Sequence, residues 1–354
     1  MGALKTTKVG VIGCGYWGPN LIRNFIKVKD CQLVVAADQA PEKLEVVKFL
    51  CPTIRLTTSP EEVLEDEGID AVVIATPIST HFPMAQRALA NGKHVFVEKP
   101  MTATVAEAEE LTELAGRNHK VLMVDHTFIY TGAVRKLRTF VDSGELGEIY
   151  YYDSVRINLG LFQHDANVLW DLAPHDFAIM DYLIDKKPVS VSAVGSSPVR
   201  WNGWRRESLA YISVEFEDGI LAHFHVNWLS PVKLRRTLIG GSRKMIIYDH
   251  LDPDNQLKIY DKGIEVKEDL ERYQALVQYR TGDLLAPKID QTEALAVACK
   301  HFVHCIQNQK IPETDGRAGL QVVRLLEAAQ HSMNYGGRKT HLWEGSRRAQ
   351  VAGG

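Results

Sequence analysis

The feature that most restricts this chain is the run Gly13-Cys14-Gly15-Tyr16-Trp17-Gly18. It follows residues 8–12 (KVGVI), an apolar, β-branched segment that reads as a buried strand. It precedes residues 19–29, where Leu21, Ile22, Phe25 and Ile26 recur with helical period. Pro19 suits the first turn of that helix, where a missing N–H costs nothing. A Gly-x-Gly-x-x-Gly run is weak evidence alone; between a strand and a helix it gains mechanical meaning. Gly13 permits the tight turn, Gly15 lets a pyrophosphate approach the backbone, and Gly18 lets helix and strand pack closely. The helix N-terminus then turns its free N–H groups toward the phosphates. The bland alternative is a set of turn glycines.

Asp38 lies twenty residues after Gly18, at the end of a second apolar strand, residues 33–37. A carboxylate there accepts hydrogen bonds from ribose hydroxyls and repels a 2′-phosphate. Gln39, Ala40 and Pro41 follow, with no arginine for that phosphate, so NAD is expected over NADP. The alternative is that Asp38 caps the helix opened by Pro41. Apolar strands recur at 71–75, 94–97 and 121–124, and helices are expected at 41–50, after His81 and at 104–118. Ser59-Pro60-Glu61-Glu62 reads as a helix start with Ser59 as N-cap. Strands apolar on both faces, alternating with helices, make a doubly wound parallel sheet of Rossmann type. This first domain is expected to span residues 1–125.

The texture changes after it. Strand-like segments at 147–157, 189–195, 209–216, 220–228, 234–240, 243–249 and 256–260 are closely spaced. They are joined by turn pairs such as Asp218-Gly219 and Gly240-Gly241. Helices at about 131–143, 174–185, 291–308 and 316–333 would cover one face. The expected class is α/β followed by α+β, with a mainly antiparallel open sheet over residues 126–354 for substrate binding and oligomerisation. The uncovered face implies an oligomer.

A net charge of −3 without a basic stripe argues against a nucleic-acid partner. No apolar run reaches the roughly 20 residues of a membrane helix. The start MGALKTTK has no apolar stretch, so no secretory signal is expected. Five scattered cysteines show neither CxxC pairs nor zinc-like spacing, which points to no metal site and a reducing, cytoplasmic compartment.

Two further runs carry chemistry. Glu98-Lys99-Pro100 ends a strand at the edge where open α/β sheets bind ligands. A lysine there can hold a substrate hydroxyl and stabilise a developing alkoxide; read alone, it is as readily a solvated lysine. In Asp171-Leu172-Ala173-Pro174-His175 the spacing puts the acid and the imidazole on one helical face, if the helix is continuous. A histidine suits proton abstraction from a hydroxyl, with a carboxylate to orient it. The alternative is a helix start with Asp171 as cap, and Pro174 places that start near 173–174.

The glycine loop, the acid closing the second strand, Ala75-Thr76-Pro77, and above all Glu98-Lys99-Pro100 resemble the Gfo/Idh/MocA family of sugar and inositol oxidoreductases, from Lys8 to about Met333. The resemblance implies that Lys99 is catalytic and that the Lys99–Pro100 bond is cis. It implies that His175 is the acid/base of an Asp-x-x-x-His motif, and that Asp171 and Lys99 complete its relay. Hydride would pass from a carbinol carbon to NAD. The expected cofactor contacts are Gly13, Gly15, Tyr16, Trp17, Gly18, Asp38, Ser59, Thr76, Pro77, His81, Glu98 and Lys99. The expected substrate contacts are Lys99, Tyr130, Arg156, Asn158, Phe162, Asn167, Trp170, Asp171, His175 and Arg235. Lys233, Arg235 and Arg236 form a basic trio able to grip a diphosphate or simply to line an exposed strand. The passages GVIGCGYWGPNLIRNF and HTFIYTGAVRKLR are most similar to members that oxidise C3 of a UDP-N-acetylhexosamine or its uronic acid for surface-polysaccharide and lipopolysaccharide precursors. The family also offers inositol or free-sugar dehydrogenases, NAD-dependent glycosidases and noncatalytic NAD-binding regulators.

Overall fold

The computed structural model describes residues 6–160, 166–199, 206–267 and 276–342. The chain divides into two compact units, Met1–Thr131 with Thr292–Arg324, and Gly132–Gln291 with Leu325–Gly354.

In the first unit six parallel strands stand in the order β3-β2-β1-β4-β5-β6. They are β1 (Thr7–Ile12), β2 (Cys31–Ala37), β3 (Arg55–Thr57), β4 (Ala71–Ile74), β5 (His94–Val97) and β6 (Leu122–Val124). The order reverses between β1 and β4, which opens a ligand crevice at their carboxyl ends. Between the strands run α1 (Gly18–Phe25), α2 (Pro41–Leu50), α3 (Glu61–Leu64), α4 (His81–Ala90) and α5 (Val105–Arg117). Every residue of β4 and β6 is buried, as strands covered on both faces require. A reciprocal cap of Thr104 and Glu107 fixes the start of α5. Ser59 does not cap α3: its hydroxyl donates to Glu61 Oε2 at 2.8 Å, and Pro60 occupies the cap position.

In the second unit α6 (Gly132–Asp142) and α7 (Val168–Leu183) accompany a nine-stranded sheet. Its strands are β7 (Ile149–Leu159), β8 (Pro188–Ser196), β9 (Leu209–Phe216), β10 (Leu221–Asn227), β11 (Leu229–Gly241), β12 (Met245–Asp249), β13 (Leu257–Tyr260), β16 (Leu284–Leu285) and β17 (Thr340–His341). The hairpin β14 (Gly263–Lys267) and β15 (Leu276–Arg280) stands apart from it. The order is β16-β13-β12-β11-β7-β10-β9-β8-β17, and only β7 and β10 pair in parallel. One face, carrying Tyr152, Ile212 and Phe224, is buried; Phe177 of α7 meets Phe224 edge-on at 4.8 Å. The other face leaves Val194, Tyr211 and Leu221 exposed. Gly240 and Gly241 belong to β11, and the reversal comes after them. Gly240 serves packing, since a Cβ would lie 2.0 Å from the Tyr151 ring.

Helix α7 begins earlier than Pro174 indicates. Asn167 caps it by accepting from Trp170 N at 3.2 Å, and it runs unbroken through the proline. An interior proline costs about 3 kcal/mol. Eleven of the sixteen helical residues are buried, Leu169, Leu172, Phe177 and Ile179 among them. Each large apolar side chain contributes about 1.5–3 kcal/mol, so burial outweighs the lost hydrogen bond.

The chain then returns to the first unit. Helix α8 (Ala294–Asn308) packs on α1, where Phe25, Phe96 and Phe302 meet edge-to-face with centroids 5.4–6.2 Å apart. Arg23 grips Glu293, just before α8, with both terminal guanidinium nitrogens. The unit boundary at 324–325 falls within α9 (Gly316–Asn334). The second unit is thus not the single stretch 126–354, because the apolar face of α8 completes the first core.

Candidate functional site

The three loop glycines of the first unit differ in kind. Gly13 has φ +96°, and a Cβ would stand 2.3 Å from the Ala75 carbonyl oxygen. A Cβ on Gly18 would stand 2.1 Å from the Gly13 carbonyl oxygen. A Cβ on Gly15 would meet nothing within 4 Å. Packing therefore explains Gly13 and Gly18 but not Gly15, which borders open space. Trp17, the N-cap of α1, makes no side-chain cap bond, and the first turn holds no acid, so the helix mouth keeps its N–H groups for an anion. Tyr16 and Trp17 are exposed and meet edge-to-face at 5.3 Å.

Asp38 Oδ2 accepts from Cys14 N at 2.8 Å, and Oδ1 accepts from Ala40 N at 2.9 Å. The carboxylate thus braces the turn into α2, yet it retains lone pairs for ribose hydroxyls. Lys43 Nζ lies 3.7 Å away. Burial, with the charge of Asp38, pushes the Cys14 thiol up to about 12, so it stays neutral beside the loop. These residues fit the diphosphate and ribose of a dinucleotide.

Beyond the cradle, His81 is buried, with Nδ1 2.9 Å from the Pro100 carbonyl and Nε2 2.8 Å from the Thr76 carbonyl. Carbonyls only accept, so both bonds form at once only with the doubly protonated ring. His81 ties two strand-end loops together and is too enclosed to touch a cofactor. The Thr76 hydroxyl accepts from Thr80 at 2.7 Å, and Pro77 is exposed. The Lys99–Pro100 bond is cis, Lys99 is half-buried and Glu98 is buried. Tyr130 also lies inside the first unit, 1% exposed with its hydroxyl 3.1 Å from Thr314 Oγ1, and is not open to substrate.

In the second unit Asp171 and His175 lie one turn apart on α7, both half-buried. Asp171 Oδ2 accepts from Trp228 Nε1 at 3.1 Å, an orienting contact invisible in the sequence. Gly160 gives the Trp228 ring room, since a Cβ there would lie 2.2 Å from it. Arg156 is sealed in a bidentate pair with Asp176, at 2.7 and 2.9 Å, and serves the fold rather than a ligand. Asp176→Ala is expected to destabilise the protein by about 3–5 kcal/mol by stranding the buried guanidinium; urea unfolding measures this, and a loss near zero would contradict it. Asn167, beyond capping α7, donates to Glu207 and Gln330 at 2.7 and 2.8 Å, which occupies it. Trp170 Nε1 donates to Gln330 Oε1 at 3.3 Å, and Asn158 is half-buried. Phe162, with Gln163, His164 and Asp165, lies outside the described residues.

Strand alternation splits the basic trio. Arg235 pairs in register with Arg156 and shares its helix-covered face. Arg236 pairs with Val155 on the opposite face, where Asp249 accepts from it at 2.7 Å. Burial, and then the Arg156 charge, lowers the pKa of Arg235, and Asp176 and Asp171 oppose this. Burial with Arg235, Arg156 and Lys233 holds His250 down at about 4. Among the described residues no cluster of His, Cys, Asp and Glu could hold a metal ion, and no helix is long and apolar enough to cross a membrane.

Residues 7–126 match the oxidoreductase family model with an NAD-binding Rossmann fold, and residues 134–247 match the GFO/IDH/MocA C-terminal domain. The chain is 28% identical over 321 residues to the UDP-N-acetylglucosamine 3-dehydrogenase of Acidithiobacillus ferrooxidans, covering 89% of this chain and 94% of that protein. A solved structure of an enzyme of that name and organism superposes with a TM-score of 0.77 at 26% identity, covering 94% of this chain and 99% of the other. The chain is 27% identical over 330 residues to the NAD-dependent scyllo-inositol 2-dehydrogenase of Bacillus subtilis, covering 89% of this chain and 91% of that protein. Loop, strand order and both domain matches agree: the chain belongs to the Gfo/Idh/MocA family of oxidoreductases, with an NAD-binding Rossmann domain.

Proposed function

We propose that this chain oxidises a secondary alcohol of a nucleotide sugar, at C3 of a UDP-N-acetylhexosamine or its uronic acid, for surface-polysaccharide or lipopolysaccharide precursors. The observation that carries the reading is Arg235. It sets a cation in the neighbourhood of Asp171, on the face of the sheet that α7 covers. A neutral polyol can offer such a cation only hydroxyl oxygens; a phosphate or carboxylate adds a charge-assisted, bidentate pairing. The UDP-N-acetylglucosamine 3-dehydrogenase relative supports the same reading. The scyllo-inositol relative keeps a neutral cyclitol as the second candidate.

NAD supplies the hydride acceptor. His175 takes the hydroxyl proton, Asp171 orients His175 through its Trp228-fixed carboxylate, and the Lys99 ammonium holds the oxygen as it gains charge. Five free cysteines suit a reducing cytoplasm. The exposed Val194, Tyr211 and Leu221 suit cover by a second copy in a homodimer or homotetramer.

NADH formation tests this with UDP-N-acetylglucosamine, its uronic acid, scyllo-inositol and a nitrophenyl glycoside. The expected result is turnover of a nucleotide sugar at least about tenfold above inositol in kcat/KM, the margin worth 1.4 kcal/mol. Faster inositol turnover overturns the reading, and NAD binding without turnover of any substrate indicates a regulator.

Asp38→Ala is expected to lower the NAD over NADP preference about tenfold or more, since hydrogen bonds to a charged group contribute about 1.5–3 kcal/mol. Lys43 would remain to meet a 2′-phosphate. Calorimetric titration with both nucleotides measures the ratio, and an unchanged ratio removes Asp38 from ribose recognition.

A further inference from the structure

At the end of the first unit's sheet opposite the NAD crevice lies a cavity of about 1260 Å³. It opens at the amino ends of β5 and β6, where His94 and Leu122 line it. The end of α5, the turn after α8 and the start of α9 complete its wall, all within the first unit. Four cations line it, Arg117, Lys120, Lys310 and Arg317, against two acids, Glu113 and Asp315. Asp315 is committed to the helix start: its Oδ1 accepts from the Arg317 and Ala318 backbone N–H groups, each at 3.0 Å.

The fold does not account for these cations. Elsewhere in the unit Arg23, Arg55, Arg87 and Arg324 each hold a carboxylate, of Glu293, Asp66, Glu65 and Glu109. Among the described residues no carboxylate pairs with Arg117, Lys120, Lys310 or Arg317. Arg117 and Lys310 stand near the carbonyl ends of α5 and α8, which favour a cation. Arg317 does not: it sits in the first turn of α9, at the positive end of the helix dipole, with no acid in that turn. At the strand ends His94 Nδ1 accepts from the Val121 backbone N–H at 2.9 Å, so in the neutral ring Nε2 carries the proton and is a donor. Burial, and then the Lys120 charge, holds this ring down at about 4, so it is neutral. Half-buried Ile306 and exposed Ile311 add apolar surface to the lining.

We propose that this cavity is a second anion site, which takes a diphosphate-bearing organic anion of nucleotide size. The two guanidinium forks and two ammonium groups pair with phosphate oxygens by charge-assisted hydrogen bonds. Ile306 and Ile311 give the organic part an apolar contact. The volume surpasses the roughly 300–1,000 Å³ of ordinary small-molecule sites, so a whole nucleotide has room. The site is distinct from the glycine loop, which lies at the carboxyl ends of the strands, and from Arg235, which belongs to the second unit.

The test is an NMR titration of the full chain with labelled isoleucine methyl groups, in excess NAD so that the glycine loop stays filled. The Ile306 and Ile311 signals are assigned by their loss in I306V and I311V. UDP, inorganic pyrophosphate and uridine are added in turn at an ionic strength of about 0.15 M, where screening is physiological. UDP and pyrophosphate should move both signals with midpoints below about 1 mM, UDP the lower of the two, and uridine should leave them in place. K310A/R317A and R117A/K120A remove exposed or half-buried side chains, so the core stays intact. At least one of these variants should raise the UDP midpoint about tenfold or more, the effect of losing charged hydrogen-bond partners. Signals that do not move below about 1 mM, uridine moving them as UDP does, pyrophosphate binding without UDP, or an unchanged midpoint in both double variants each overturn the proposal. An unmet prediction about the substrate leaves these two signals untouched.

Discussion

Lys99→Ala and His175→Ala are each expected to lower kcat by about 10²–10⁴-fold, the usual contribution of a positioned proton-transfer group. NAD binding, followed by calorimetry, should stay near the wild-type value. Both side chains are half-buried rather than part of a core, so neither truncation leaves a packed cavity. His175 stands on a helix anchored by the Asn167 cap, one turn from an Asp171 carboxylate fixed by Trp228. Loss of the imidazole removes the proposed proton acceptor and leaves its surroundings standing. Loss of Lys99 removes the ammonium proposed to meet a developing alkoxide. Near wild-type turnover in either single variant, on a verified substrate, would remove that residue from the mechanism.

The parts of this site that could be read from the sequence are those whose cause is local. A turn that needs glycine, a carboxylate at a strand end, and a lysine before proline are all set within a few residues. Strand and helix periods indicate a doubly wound parallel sheet in the same way. The errors share one cause: whether a polar side chain faces a ligand or the interior depends on distant partners. Arg156 meets Asp176 twenty residues on, Tyr130 meets Thr314 across 184 residues, and Asn167 meets Gln330 across 163. No pattern around those three residues encodes such partners. The split of Arg235 from Arg236 is different, because alternation in a strand already forbids adjacent residues from sharing a face. The return of α8 to the first unit left only an amphipathic helix as its trace.

The sharpest separation of cofactor binding from folding lies within the glycine loop. Gly15→Ala should fold with apo stability within about 1 kcal/mol of wild type, because its methyl group enters space that no protein atom occupies. If Gly15 borders the diphosphate as proposed, the same methyl group stands in its approach to the backbone, and NAD affinity should fall about tenfold or more, the equivalent of 1.4 kcal/mol. Gly18→Ala should do the reverse. Its methyl group is placed 2.1 Å from the Gly13 carbonyl oxygen, which forces α1 away from β1. Overpacking of this kind costs about 1–3 kcal/mol and occasionally more, whether or not NAD is present. Urea unfolding with and without NAD distinguishes the two. In the wild type, NAD raises the midpoint by mass action on the folded state. Gly15→Ala should keep the apo midpoint and lose most of the NAD increment, whereas Gly18→Ala should lower the apo midpoint itself. Should Gly15→Ala unfold the apo protein as readily as Gly18→Ala, Gly15 would be a packing glycine like its neighbours, and the anion-binding cradle would have to be sought elsewhere on the crevice.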